Sequence, residues 1–262
     1  MKYLIIVLLA AFVLSCQPTP TNTATNEEVE TTIDPYAHIE DEKAREIIKA
    51  SIEFSGGLDK WQAMQKLKYT KDFALLLESG EVEKSYEQIH DYQMNPLIID
   101  IQSKENGAMI HTRLENGQYS RTKDGEAIET SDAALAKAIN TSTYVIGIPF
   151  KLLDPGPQIT YEGEFTTEDG RVLDVLRVAY DAAQHANHST SDVWKYYFDK
   201  EDRKVVANWV DAGDHYAFIE NLTYARAGGI LFNKDRKSYR VDSLGNKLYL
   251  RAEYTYDNYE LQ

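Results

Sequence analysis

Two histidines close together in the chain, His185 and His188, are the residues whose type and spacing come nearest to a metal site. Imidazole nitrogens bind zinc and other transition metals, and the neighbouring Asp181 and Asp192 would supply carboxylate oxygens to complete the shell. The segment around them is rich in Ala, Ser, Asn and Gln, however, and is typical of a solvated loop between two strands. The pair is therefore only a weak metal candidate, and we predict no bound metal and no cofactor.

Four further residues are candidates for binding a ligand. His111 and His215 fall in alternating segments and could line a cavity, although each is also typical of a partly exposed strand position. Trp61 and Met64 could contact a ligand at the mouth of such a cavity. Their spacing is equally that of a buried helical stripe, which is the interpretation we favour.

No pattern in the sequence indicates catalysis. The acidic pairs at 168–169 and 201–202 fall at predicted turns, where solvated carboxylates are expected. The chain has no Gly-x-Ser-x-Gly elbow, no His-Glu-x-x-His helix and no phosphate-binding glycine loop. We predict that the protein is not an enzyme. A metal-dependent hydrolase that uses His185 and His188 is the least favoured alternative.

The only cysteine of the chain, Cys16, stands two positions after the end of its only long apolar run, residues 4–14. This run is too short to cross a bilayer as a helix, which needs about 20 apolar residues. With Lys2 before it, the run is typical of a secretory signal. The four residues that end at Cys16, Val-Leu-Ser-Cys, resemble the lipobox of bacterial lipoproteins. The resemblance implies a signal peptide over 1–15, cleavage between Ser15 and Cys16, and lipid attached to the cysteine sulfur.

The charge of the chain limits its partners. With 42 acidic and 28 basic residues its net charge is −14, so nucleic acid and anionic lipid surfaces would repel it. Attachment to a membrane would therefore depend on the lipid on Cys16. Gln17 follows this cysteine, where an aspartate retains many lipoproteins in the inner membrane. We predict a protein of the cell envelope that is lipid-anchored in the outer membrane and faces the periplasm.

The rest of the chain divides into a tether and one globular body. Residues 16–34 comprise the lipidated cysteine and a segment rich in Thr, Asn, Pro and Glu, which has almost nothing to bury and is predicted to be disordered. Residues 35–262 are long enough for one sizeable core, and we see no second linker. We treat this body as a monomer.

Two helices are predicted at the start of the body. Asp41 can cap a helix that continues to about Ser55, and Gly56 and Gly57 can end it. The expected buried stripe of this helix is Ala44, Ile47, Ile48, Ser51 and Ile52. A second helix is predicted over 58–67, with Leu58, Trp61, Met64 and Leu67 along one side.

After Lys68 the apolar residues alternate, which predicts many strands. Dipeptides such as Asn106-Gly107 and Asn116-Gly117 separate the strands, as hairpin turns do. The segment 131–140 is the one clear helical interruption. A large antiparallel sheet follows, and the strand at 194–198 places aromatic rings on both of its faces. Whether the sheet encloses a cavity or a filled core is open at this stage.

The helix that ends in Gly56-Gly57, with Trp61 a few residues further on, resembles a family of bacterial lipoproteins of unknown function with the lipoprotein-localisation fold of LolA and LolB. The segments at 148–153 and 228–232 also fit this resemblance. It implies a mainly β, α+β domain whose large curved antiparallel sheet is an unclosed β-barrel of about 9–11 strands. Helices from the N-terminus and from the middle of the chain would cover its mouth. In the better-known relatives the hollow holds the acyl chains of a lipoprotein in transit.

The leading prediction is therefore a membrane-anchored, periplasm-facing lipoprotein that binds a hydrophobic ligand, either lipid or lipoprotein acyl chains, in the hollow of a curved sheet. The alternative is a non-catalytic structural or interaction module of the cell envelope with a filled core.

Overall fold

The computed structural model describes residues 34–180 and 193–262. Its helices are α1 (Glu42–Phe54), α2 (Leu58–Ala63) and α3 (Asp132–Gly147), and a short 3-10 helix (Phe150–Leu153) follows α3. None of the helices in the described ranges combines the length and the apolar character needed to cross a membrane.

Fifteen strands make up most of the described chain. They are β1 (Lys66–Leu76), β2 (Val82–Met94), β3 (Leu97–Glu105), β4 (Ala108–Glu115), β5 (Gln118–Lys123), β6 (Glu126–Ala127), β7 (Pro157–Thr166), β8 (Val172–Tyr180), β9 (Val193–Asp199), β10 (Val205–Asp211), β11 (Tyr216–Asn221), β12 (Tyr224–Ala227), β13 (Ile230–Asn233), β14 (Asp235–Val241) and β15 (Lys247–Leu261). Thirteen of them form one antiparallel sheet in the order β6-β5-β4-β3-β2-β1-β15-β14-β11-β10-β9-β8-β7, and β12 pairs only with β13.

The expected fold class is confirmed, since the sheet is curved, antiparallel and not closed into a barrel. The number of strands in the sheet exceeds the 9–11 expected. Short polar strands account for part of the difference, because β6 has only two residues and β5 reads QYSRTK, without an alternation of apolar side chains.

The connections of the sheet determine where α3 lies. The first and last strands, β1 and β15, pair in the middle of the sheet, whereas β6 and β7 are its two edges. These edge strands follow each other in the chain, and α3 makes the connection from one edge to the other. It packs against β4 and β5, and the Tyr92 hydroxyl of β2 donates a hydrogen bond to its Ser142.

The first predicted helix is confirmed in its start, its end and its buried face. The Asp41 carboxylate accepts a hydrogen bond from the Ala44 amide (3.0 Å) and another from the Tyr161 amide on β7 (2.8 Å). These backbone donors stabilise the charged form and hold the pKa of Asp41 below its usual value. All five residues of the predicted stripe are buried. The cap therefore also joins the helix to an edge strand.

The second predicted helix is shorter than expected. It ends at Ala63, and Met64 and Leu67 are not part of it. The amides of Gln65 and Lys66 both donate to the carbonyl of the C-terminal Gln262, which starts the pairing of β1 with β15. Leu67 is therefore a buried strand residue, because pairing with the distant C-terminus replaces the last helical turn.

The later elements agree with the sequence in their turns more than in their lengths. Asn106-Gly107 and Asn116-Gly117 both have positive φ at each position, as the predicted two-residue hairpins require. The helix predicted over 131–140 extends to Gly147. Leu222, whose alternation with Tyr216 and Phe218 suggests a shared strand face, lies just outside β11 and is exposed.

Candidate functional site

A cavity of about 640 Å³ lies between α3 and the inner face of the sheet. Ten of the thirteen strands contribute to its wall. The strand residues that line it are Tyr69, Lys71, Phe73, Gln88, His90, Ile101, Ser103, Glu105, Thr112, Arg121, Trp194, Asn208, Ile219, Arg236, Ser238, Tyr254 and Tyr256. The remaining lining comes from Thr130 and from one side of α3.

Several of the α3 side chains that line the cavity are short. Ala134, Ala138 and Thr141 follow each other at helical spacing and line the cavity, as do the larger Leu135 and Val145. At the three short positions the helix leaves open volume that larger side chains would fill.

Hydroxyl groups connect α3 to the floor of the cavity. Tyr92 donates to Ser142 Oγ (2.9 Å), and Ser142 donates to the Ile139 carbonyl within the helix (2.7 Å). The Tyr69 hydroxyl lies 3.0 Å from that of Tyr92. Since the Tyr92 proton is used on Ser142, Tyr69 is the donor of this third bond. Burial raises the pKa of both phenols, which keeps them neutral.

His90 completes this cluster. Its ring stacks on Tyr69, with ring centroids 4.6 Å apart and planes at 11°, and its Nδ1 lies 2.9 Å from the Tyr92 hydroxyl. Burial, together with the positive charge of Lys71, lowers the pKa of His90 to about 3. The ring is therefore neutral at pH 7. The neutral ring has one N–H, which it donates either from Nδ1 to the Tyr92 hydroxyl or from Nε2 to Gln88 Oε1, 3.3 Å away.

A second group of phenols holds α3 at Tyr144, two residues after Ser142. The Tyr196 hydroxyl donates to that of Tyr144 (3.2 Å), and Tyr144 also bonds to Tyr180 on β8. Burial raises the pKa of all three hydroxyls. Polar contacts at Ser142 and Tyr144 thus join the C-terminal half of α3 to the sheet.

The cavity wall carries more positive than negative charge. Lys71, Arg121, Lys137 and Arg236 line it, and Glu105 is its one lining carboxylate. Glu105 Oε1 lies 3.8 Å from Arg121 Nη2 and accepts a hydrogen bond from Ser103 (2.8 Å). This excess of cations occurs in a chain whose net charge is −14.

The candidate residues from the sequence do not line the cavity. The Trp61 ring stacks on Phe150 with centroids 4.6 Å apart, and Met64 is buried in the core. His111 lies on the outer face of β4, 3.5 Å from Asp100, because strand register directs its neighbours Ile110 and Thr112 inward. His215 precedes β11 and contacts Asp214. None of these four residues therefore contributes to the wall of the cavity.

Other predicted residues cannot be located. Cys16, with the cleavage site at Ser15, and the metal candidates His185 and His188 lie outside the described residues. Within 34–180 and 193–262, no group of three or more His, Cys, Asp or Glu side chains is arranged to hold a metal ion.

Sequence reasoning missed Lys71, His90 and Arg236. The alternation of Tyr69, Lys71 and Phe73 in β1 was a usable signal, because it places a lysine between two aromatic residues on one face of a strand. Which face is the inner one depends on pairing with distant strands.

Comparisons with known proteins agree with this fold. Residues 2–218 match the model of a family of unknown function, DUF6503. Curated proteins include no significant match. A DUF1329 family protein from Desulfovibrio piger is similar in structure, with a TM-score of 0.54, 9% identity, and coverage of 84% of this chain and 93% of that one. A LolA superfamily protein from Nitrosomonas europaea has a TM-score of 0.50 and 8% identity, with the same coverage of 84% and 93%. The expected LolA-like fold is confirmed.

Proposed function

Because the chain belongs to DUF6503, a family of unknown function, we propose its role from its site: it binds a hydrophobic ligand, either a lipid or the acyl chains of a lipoprotein, in the cavity beneath α3. The single observation that carries this proposal is the hollow of about 640 Å³. Ligand pockets in proteins typically have about 300–1,000 Å³. Phe73, Ile101, Leu135 and Val145 give the hollow apolar walls.

The membrane anchor is the second part of the proposal. Lipid on Cys16 would hold the body close to the bilayer, in the outer membrane and facing the periplasm, since two or three acyl chains anchor a protein far more firmly than one. The support is the apolar run at 4–14 and the Val-Leu-Ser-Cys sequence. We expect the wild-type chain to fractionate with membranes and Cys16→Ser to lose that association. An unchanged membrane fraction for Cys16→Ser would contradict the lipid anchor.

Ligand binding is tested on the full chain with Cys16→Ser, so that the attached lipid does not compete. After removal of co-purified lipid, we expect uptake of a fluorescent fatty acid and a one-to-one complex in native mass spectrometry. Ala138→Trp should abolish uptake because the indole would occupy the cavity, whereas Ala133→Trp, on the same helix but away from the lining, should bind normally. Absence of uptake by the unmodified cavity would overturn the proposal.

A second candidate function is docking to a partner in the cell envelope. An aromatic row on the outer face favours this function. Phe165, Tyr197 and Phe218 lie on the alternate strands β7, β9 and β11. The ring centroid of Tyr197 is 5.5 Å from that of Phe165 and 5.6 Å from that of Phe218. Aromatic residues are enriched at protein interfaces. Crosslinking that recovers one stoichiometric envelope protein from wild type, but not from Tyr197→Ser, would support this candidate. From the sequence, this alternative was predicted to have a filled core, and the cavity of about 640 Å³ beneath α3 weighs against that part of it.

A further inference from the structure

Lys71 differs from the other strand lysines in its surroundings. Its Nζ lies 4.8 Å from the ring centroid of Phe73, 5.4 Å from that of Tyr254 and 5.9 Å from that of Tyr256. Among the described residues, no carboxylate lies within 4.0 Å of this ammonium and no side chain or carbonyl accepts a hydrogen bond from it. Lys71 lines the cavity, and its three N–H donors have no hydrogen-bond acceptor among the described residues.

Carboxylate partners are not general among the strand lysines of this chain. Lys195, Lys237 and Lys247 each have one on the outer face, at 2.7, 3.1 and 2.6 Å respectively. Lys68 and Lys84, among others, have none within 4.0 Å among the described residues. What distinguishes Lys71 is that it lines the cavity, with its ammonium over aromatic rings.

Arg236 is a second cation of the cavity wall without a carboxylate within 4.0 Å among the described residues. It is buried, and its Nε donates to Asn221 Oδ1 (2.7 Å) while Nη2 approaches Asn208 Oδ1 (3.5 Å). Both partners are neutral amides. They orient the guanidinium but leave its charge uncompensated, and its remaining N–H groups stay available to a ligand.

The two cations lie on either side of one tyrosine. Arg236 is the cross-strand partner of Tyr254 on β15, and the ring of Tyr254 is one of those beneath the Lys71 ammonium. Next to Arg236, the indole Nε1 of Trp194 is buried and has no hydrogen-bond partner among the described residues. Two cations and an unused N–H donor thus line one cavity, where they could bind an anion with several oxygens.

We propose that Lys71 and Arg236 bind the anionic headgroup, a carboxylate or a phosphate, of an amphiphile whose alkyl chain occupies the apolar part of the same cavity. This inference rests on the proposed function, since it specifies the class of lipid that the hollow accepts. Arg236 supplies an oriented fork of donors, and Lys71 supplies a mobile ammonium that can follow the headgroup. The chain would extend along Phe73, Ile101 and Leu135.

The test uses the full chain with Cys16→Ser and three probes of equal alkyl length: dodecanoate, dodecyl phosphate and dodecanol. We expect calorimetric titration to show that the two anions bind roughly tenfold to a hundredfold more tightly than the alcohol, as charge-assisted hydrogen bonds would produce. Lys71→Met should remove most of that preference and Lys71→Arg should retain it. Lys68→Met is the matched control, because it removes the same charge from the opposite face of β1 and should leave the preference unchanged.

Each possible result has a defined meaning. Equal affinity for dodecanol and both anions, or an undiminished preference in Lys71→Met, would overturn the headgroup inference and leave hydrophobic ligand binding intact. Failure of wild type to bind any probe would overturn the proposed function itself. Inorganic phosphate that binds as tightly as dodecyl phosphate would overturn the amphiphile. Arg236→Gln should also lose the preference; should this buried variant fail to fold, Lys71→Met decides.

Discussion

The Tyr92 hydroxyl on β2 donates a hydrogen bond of 2.9 Å to Ser142 Oγ on α3, and this contact ties the helix above the cavity to the sheet beneath it. The Ser142 hydroxyl in turn donates a hydrogen bond to the Ile139 carbonyl, so each hydroxyl in the series donates to one defined acceptor. The position of α3, and with it the depth of the cavity, depends on this polar contact and on the tyrosines around Tyr144, two residues further along the helix.

The first prediction concerns this contact. Tyr92→Phe and Ser142→Ala should each lower the free energy of unfolding by about 1–3 kcal/mol, because each leaves buried polar atoms without a partner. Their effects should be non-additive by about 1 kcal/mol, since the two residues share one hydrogen bond. Urea denaturation of the two single variants and the double variant measures this coupling. Tyr119→Phe, a phenol on β5, should change stability by less than about 0.5 kcal/mol; additive effects in the cycle would contradict the assignment.

The second prediction is a dependence of stability on pH through His90. Burial lowers its pKa in the folded state from 6.5 to about 3, so the unfolded chain takes up this proton first as the pH falls. The free energy of unfolding should therefore decrease by about 1.4 kcal/mol per pH unit from this group alone as the pH falls from near 6 towards 4.

Denaturant titrations at several pH values measure that slope. His90→Gln removes the titrating group and should be flatter than wild type between pH 6 and pH 4.5. His111→Gln, which changes an exposed histidine on the outer face, is the control and should keep the wild-type slope. If the free energy of unfolding falls with pH equally in wild type and His90→Gln, the folded state does not resist protonation of this imidazole, and the prediction is wrong.

The third prediction concerns Gly56 at the end of α1. Its φ is +124°, and a Cβ added there would lie 2.5 Å from the Gly229 carbonyl oxygen. Gly56→Ala should therefore destabilise the protein by several kcal/mol, because both the backbone conformation and the close approach exclude a side chain. Gly107→Ala is a matched control: its φ is also positive, at +87°, but no atom lies within 4 Å of the added Cβ. Thermal unfolding should show a loss several times smaller for this control.

The fourth prediction concerns a buried ion pair. Asp174 on β8 is 1% exposed, and its carboxylate accepts hydrogen bonds from Arg203 Nη1 (3.0 Å) and the Tyr161 hydroxyl (3.2 Å). Arg203→Met should cost about 3–5 kcal/mol, because it leaves a buried carboxylate without its cation. Lys204→Met changes the adjacent residue, whose partner Asp202 is half-exposed, and should cost less than about 1 kcal/mol. Equal losses in urea denaturation would contradict this difference.

The elements that the sequence predicted best are those whose stabilising contacts are local. The cap at Asp41, the apolar face of α1 and the Asn-Gly hairpins depend on residues within a few positions of one another. The second helix was predicted too long because the end of α2 is determined by Gln262, at the far end of the chain. Local spacing contains no information about that partner.

For the candidate site, the sequence predicted that a cavity exists but not which residues line it. The resemblance to the LolA and LolB fold implied a hollow, but the residues chosen for it from spacing, Trp61 and His111 among them, lie elsewhere. A strand pattern shows which residues share a face and does not show which face is inside. That choice depends on which strands pair and on where α3 crosses the sheet.

The sequence by itself determined the fold class, the apolar stripe of α1 and the Asn-Gly hairpins, because helical and strand periods and tight turns are properties of neighbouring residues. Only the tertiary structure decided that Lys71 and Arg236 line one cavity, since β15 pairs with both β1 and β14, although β1 lies far from the other two strands in the chain. The physical reason is that strand register is a long-range property. A shift of one residue in the register of β1 would turn Lys71 to the outer, solvent-facing side of the sheet.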